Sequence, residues 1–79
     1  MRFETVLWDD GNLVKRRRAT PAEVEQVIAN ADRMATSRDA PDRYLLRERT
    51  DAGKPLVVVV QLLDGGRTVR PITAWQENR

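Results

Sequence analysis

The chain has 79 residues, a formal net charge of +2, 41% hydrophobic and 33% charged residues, and neither Cys nor His. A chain this short buries only roughly 60% of its unfolded surface, which leaves no room for a second domain and little for an enclosed substrate cavity. The missing Cys and His close off disulfides, thiolate metal sites, Ser-His-Asp triads and imidazole acid–base chemistry, so no cofactor or metal is expected.

Residues Phe3 to Trp8 are β-branched and aromatic enough to predict a first strand. Asp9-Asp10-Gly11-Asn12 breaks it, and either Asp offers a cap for a short helix running to about Arg18. Lys15, Arg16, Arg17 and Arg18 form a block of cations. The block either opposes the negative end of that helix or forms an electrostatic strip for RNA phosphates.

The second helix is marked more sharply. Thr20-Pro21-Ala22-Glu23 supplies an N-cap Thr, a first-turn Pro and a capping-box Glu, and Val24, Val27, Ile28 and Ala31 follow on one face. The spacing predicts a helix over about Pro21 to Asn30. Apolar periodicity then stops, and residues 31–42 read as a loop with a possible short edge strand near Met34 to Ser37.

A three-stranded meander is expected next. Its strands are Tyr44 to Thr50, Pro55 to Leu63 and Thr68 to Trp75, with turns at Asp51 to Lys54 and at Asp64 to Arg67. Pro71 belongs at an edge or a bulge, because it donates nothing to the ladder. The expected fold class is α+β: the antiparallel meander plus the N-terminal strand, with two short helices on one face, in a single domain over 1–79. The opening residues hold no signal-like apolar core, and the longest apolar run, Leu56 to Val60, is far short of a membrane span, so a cytoplasmic protein is expected.

A four-residue turn at Asp51 to Lys54 pairs Arg47 with Val58, and a two-residue Gly65-Gly66 loop pairs Val58 with Thr73. On that register Tyr44, Leu46, Val57, Val59, Ile72 and Ala74 share the helix face. Arg47, Arg49, Leu56, Val58, Val60, Thr73 and Trp75 share the other. Two short helices cannot cover both, so the Arg face calls for a partner chain or a homodimer mate, unless residues 31–43 fold over it.

The available chemistry is that of Arg, Lys and one Tyr. The fourteen cations are twelve Arg plus Lys15 and Lys54, a bias that suits planar phosphate recognition and also arises from a G+C-rich genome. Such a set fits RNA cleavage by the substrate's own 2′-hydroxyl, where the protein orients the phosphate and neutralises charge. Arg47 and Arg49, two apart on one strand, are the candidate phosphate grip, or else solvated edge charges. Lys54 in the adjoining turn is a third candidate, and Trp75 could stack on a base.

Several strings in order carry a family resemblance: Val6-Leu7-Trp8-Asp9, Thr20-Pro21-Ala22-Glu23-Val24-Glu25-Gln26-Val27, Arg49-Thr50-Asp51-Ala52-Gly53-Lys54, Leu56 to Val60 and Val69-Arg70-Pro71-Ile72-Thr73-Ala74. In these the chain resembles the BrnT toxins of bacterial type II toxin-antitoxin systems, whose fold is similar to that of the RelE and ParE toxins. The resemblance implies a metal-independent ribonuclease neutralised by a cognate antitoxin, with Arg49 matching the family's Arg before its Thr-Asp-x-Gly turn. Arg17-Arg18-Ala19 stands where members commonly carry His-Gly, Trp75 where they carry Arg, and their basic tail is not matched, which implies weakened catalysis. The alternatives are a non-catalytic relative that binds RNA or protein through the same groove, and an interaction protein that never meets nucleic acid.

Overall fold

A computed structural model describes residues 3–8, 19–38 and 40–77. The expected helix before Arg18 and the Lys15–Arg18 block lie outside the described residues. Within them the fold is α+β, one helix on a five-stranded mixed sheet. Its elements are β1 (Thr5–Val6), α1 (Pro21–Asn30), β2 (Ala35–Thr36), β3 (Arg43–Arg49), β4 (Pro55–Leu63) and β5 (Thr68–Gln76), and the strand order is β1-β5-β4-β3-β2.

Helix α1 has the expected bounds because its start is specified locally. The Thr20 hydroxyl accepts from the Glu23 N–H at 3.2 Å and the Glu23 carboxylate accepts from the Thr20 N–H at 3.0 Å, so both halves of the capping box are made. Val24, Val27 and Ile28 are buried against the sheet, and Ala31 ends the helix in extended backbone with its N–H still donating to Val27.

The meander forms as expected, and two strands are added or changed at its margins. The N-terminal strand shrinks to Thr5–Val6 and runs parallel to β5, which makes the sheet mixed. Residues Ala35–Thr36 pair antiparallel with Tyr44 and Leu45, so the weak edge-strand signal is a real fifth strand. Pro71 sits beside the bulge in β5, beyond the last β1 pairing at Val69.

The two hairpins correct the expected register. In the first, Arg49 pairs with Pro55 and Arg47 with Val57, one residue away from the expected partners. The Thr50 N–H donates to the Lys54 carbonyl and the Gly53 N–H to the Thr50 carbonyl, leaving a three-residue loop with Gly53 at φ +91°. Only a glycine enters that region cheaply, so the loop closes as a type I turn with a bulge at the glycine rather than as a four-residue turn. In the second hairpin Gly65 and Gly66 both have positive φ, and Leu62–Val69 and Val60–Pro71 pair as expected. Ile72 is then an extra residue, so Val59 faces Thr73 and Val58 faces Ala74.

A slip of one residue turns a strand over. The two slips cancel between β3 and the end of β5, so the faces of β3 and of Thr73, Ala74 and Trp75 are as expected, while β4 is reversed together with Val69 and Pro71, which pair with it before the bulge. Leu56, Val58 and Val60 are on the helix side and fully buried in one core with Leu46, Val24, Val27, Val69 and Ala74. Val57 and Val59 are on the Arg side. The demand for a partner to cover Leu56, Val58 and Val60 therefore lapses, because α1 covers them.

Candidate nucleic-acid interface

The face of the sheet away from α1 is organised in cross-strand rows. Arg49 stands opposite Pro55; Arg47, Val57 and Trp75 form the next row; Leu45, Val59 and Thr73 the next; Arg43, Gln61 and Arg70 the last. Strand alternation thus brings Arg43, Arg47 and Arg49 to one line along β3, with Trp75 two strands away. Across this face, from the segment beyond β2 to Trp75, runs a groove of about 780 Å³ lined by Thr36, Ser37, Arg38, Arg43, Arg47 and Trp75, with Leu45 and Val59 in its floor. Ala35, Thr36, Ser37, Arg38 and Ala40 line one wall.

Each expected site residue has a distinct environment. Arg47 is 61% exposed and meets Glu77 at 3.7 Å, a loose contact in water that leaves most of its fork available. Arg49 is exposed, and one arm of its guanidinium donates to the Gly53 carbonyl at 2.7 Å, folding the side chain over its own turn. Val57 is only 1% exposed, and Arg47 and Trp75 flank it on either side in its cross-strand row.

Lys54 is not brought to this site. Its ammonium bonds the Glu23 carboxylate at 3.1 Å, on the helix side of the sheet. The one-residue shift in the hairpin is the reason: Lys54 alternates with Pro55, and Pro55 is the residue that shares a row with Arg49. The Thr20 N–H, and after it the Lys54 ammonium, hold the Glu23 carboxyl below its ordinary value.

Two features escaped the sequence reading. Glu23, Gln26 and Asn30 form a polar stripe along α1 that stitches the 50–54 turn in place. Gln26 accepts from the Asp51 N–H at 3.0 Å, and the Asn30 amide donates to the Asp51 carboxylate at 2.9 Å and to the Arg49 carbonyl at 3.2 Å. Their i, i+3, i+7 spacing beside the apolar stripe is the signal that could have found them. The second feature is Arg43, whose Nε is buried and meets no acceptor. An unmet buried donor costs about 1–3 kcal/mol. Starting β3 at Arg43 rather than Tyr44 would have revealed the repeat Arg43, Arg47, Arg49 on one face.

Comparison with family models, curated proteins and solved structures returned no match. Among the described residues no cluster of acidic side chains could hold a metal ion, and no helix is long and apolar enough to cross a membrane.

Proposed function

We propose that this chain is an RNA-binding module and that the open sheet face is its binding surface. The observation that carries the reading is the line Arg43, Arg47 and Arg49 on β3 beside Trp75. Alternate residues of a strand lie about 6.8 Å apart, a spacing comparable to that of consecutive phosphates in an extended nucleic-acid strand. A row of guanidiniums supplies sequence-independent attraction, and an aromatic beside it gives a base a stacking partner. The apolar floor at Leu45 and Val59 suits the flat face of a base. The experiment is a binding titration of a single-stranded RNA oligonucleotide at several salt concentrations. Affinity should fall steeply with salt, and the Arg47→Ala, Arg49→Ala double variant should weaken binding and flatten the slope. Binding that ignores salt, or that survives the double variant unchanged, would remove the proposal.

A second reading, a ribonuclease toxin held by an antitoxin, draws on the adjacent, exposed Arg47 and Arg49 together with the BrnT resemblance. In it the two guanidiniums stabilise the phosphorane charge while the 2′-hydroxyl attacks. Lys54 has no part, because Glu23 holds it on the other face. Cleavage of a mixed RNA substrate, reduced about tenfold or more by Arg49→Ala and accompanied by growth arrest on expression, would favour this reading; intact RNA at stoichiometric protein would leave the binding module.

A further inference from the structure

Arg43 was not among the residues the sequence singled out, yet it stands at one end of the groove with an idle donor. Its Nε is buried without an acceptor, and the described residues lining the groove include Arg38, Arg43 and Arg47 but no carboxylate. A guanidinium offers Nε and one terminal nitrogen along a single edge, matched to two oxygens of a phosphate. Here that edge has nothing to bind. A change of rotamer would present it to the groove, exchanging an unmet buried donor for a charge-assisted pair.

The opposite end of the groove is Trp75. Arg43 and Arg47 are four residues apart on β3, and Trp75 lies in the Arg47 row two strands away, so the two backbones are about 13 Å apart along the strands and about 10 Å apart across them. Both side chains line the groove, so what a nucleotide has to span is the shorter gap between guanidinium and indole. The floor between the ends, Leu45 and Val59, is apolar, and the Ser37 and Thr36 wall is polar.

We infer that the groove seats one nucleotide unit of the bound RNA, with its phosphate on Arg43 and its base against Trp75. This rests on the RNA-binding reading and adds to it a defined subsite. The chemistry recognised is a phosphate joined to an aromatic base; a free phosphate satisfies only half of it.

The test uses the whole chain and three probes: inorganic phosphate, uridine monophosphate and a single-stranded RNA oligonucleotide. In NMR spectra of ¹⁵N-labelled protein, uridine monophosphate should shift the Arg43 Nε–H and Trp75 indole N–H signals together. Inorganic phosphate should shift the first alone. Arg43→Lys should weaken the nucleotide and the oligonucleotide each by about tenfold, since an ammonium cannot make the two-point contact. The wild-type spectra decide the matter even where that variant folds poorly. If RNA binds while both signals stay in place, the subsite is wrong and the RNA surface stands. If uridine monophosphate moves both signals but the oligonucleotide does not bind, the subsite stands and the RNA reading falls. If no probe moves either signal and the oligonucleotide does not bind, both are overturned.

Discussion

The two faces of this sheet are made by the same three strands and have opposite chemistry. Toward α1, the side chains of Leu46, Leu56, Val58, Val60 and Ala74 are fully buried and aliphatic. Away from it, β3 turns out Arg43, Arg47 and Arg49, and β5 turns out Thr73 and Trp75. Strand β4 is apolar on both sides and central in the sheet, and Val57 is as dry as Val58, with Arg47 and Trp75 flanking it in its cross-strand row. Long flanking side chains add to that cover by laying their apolar stems along the strand.

The comparison is broken most forcefully from the covered side. Leu46→Ala should cost about 2–5 kcal/mol in urea denaturation, from lost burial and the cavity left under α1, while RNA affinity of the folded protein is unchanged. A matching loss of affinity would mean that the two faces are not separable. On the open side, Trp75→Leu keeps an aliphatic cover on Val57 but removes the stacking surface. RNA affinity should then fall about tenfold, in keeping with about 1–3 kcal/mol for a stacked base, and the urea midpoint should move far less than for Leu46→Ala.

How much of this contrast was legible in the sequence follows from how local each signal is. Helix α1 could be read to the residue because Thr20, Pro21 and Glu23 define its start within one turn. The faces of β3 and of Thr73, Ala74 and Trp75 at the end of β5 were legible by alternation. The face of β4 was not, because it depends on loop geometry at Gly53 and on one extra residue at Ile72, and each shifts the ladder by a single position. The same shift carried Lys54 to the helix side and hid it from the candidate site. Arg43 was missed because pairing with Gln61 extends β3 by one residue at a boundary where Pro41 and Asp42 suggest a turn.

Smaller effects sharpen the covered side. Thr20→Ala removes one half of the capping box and should lower stability by about 1 kcal/mol, read from the thermal midpoint. A melt unchanged by it would show that the helix is held by packing alone. Glu23 gives the finest probe. Its carboxyl is held below its ordinary value of 4.5 in the folded protein, so the stability it contributes is complete above that pH and is lost as pH falls through the lower folded value. Glu23→Gln should flatten the acid limb of the stability curve and leave the neutral plateau nearly level with that of Lys54→Met, since both variants break the same half-buried ion pair on the helix side.

Strand β1 has a consequence for the order in which the fold assembles. Its two residues dock on Thr68 and Val69 across a sequence gap of 63 residues, from Thr5 to Thr68, whereas α1 and the meander are joined by shorter connections. Closing so long a loop for two pairings yields little return early in folding, so the helix and meander form first and β1 zips on last. The reverse holds for opening: the amides of Glu4 and Leu7, which donate to the Arg67 and Val69 carbonyls, exchange with solvent through a local release of the chain's first strand, and the Val58 amide exchanges only when the whole molecule comes apart.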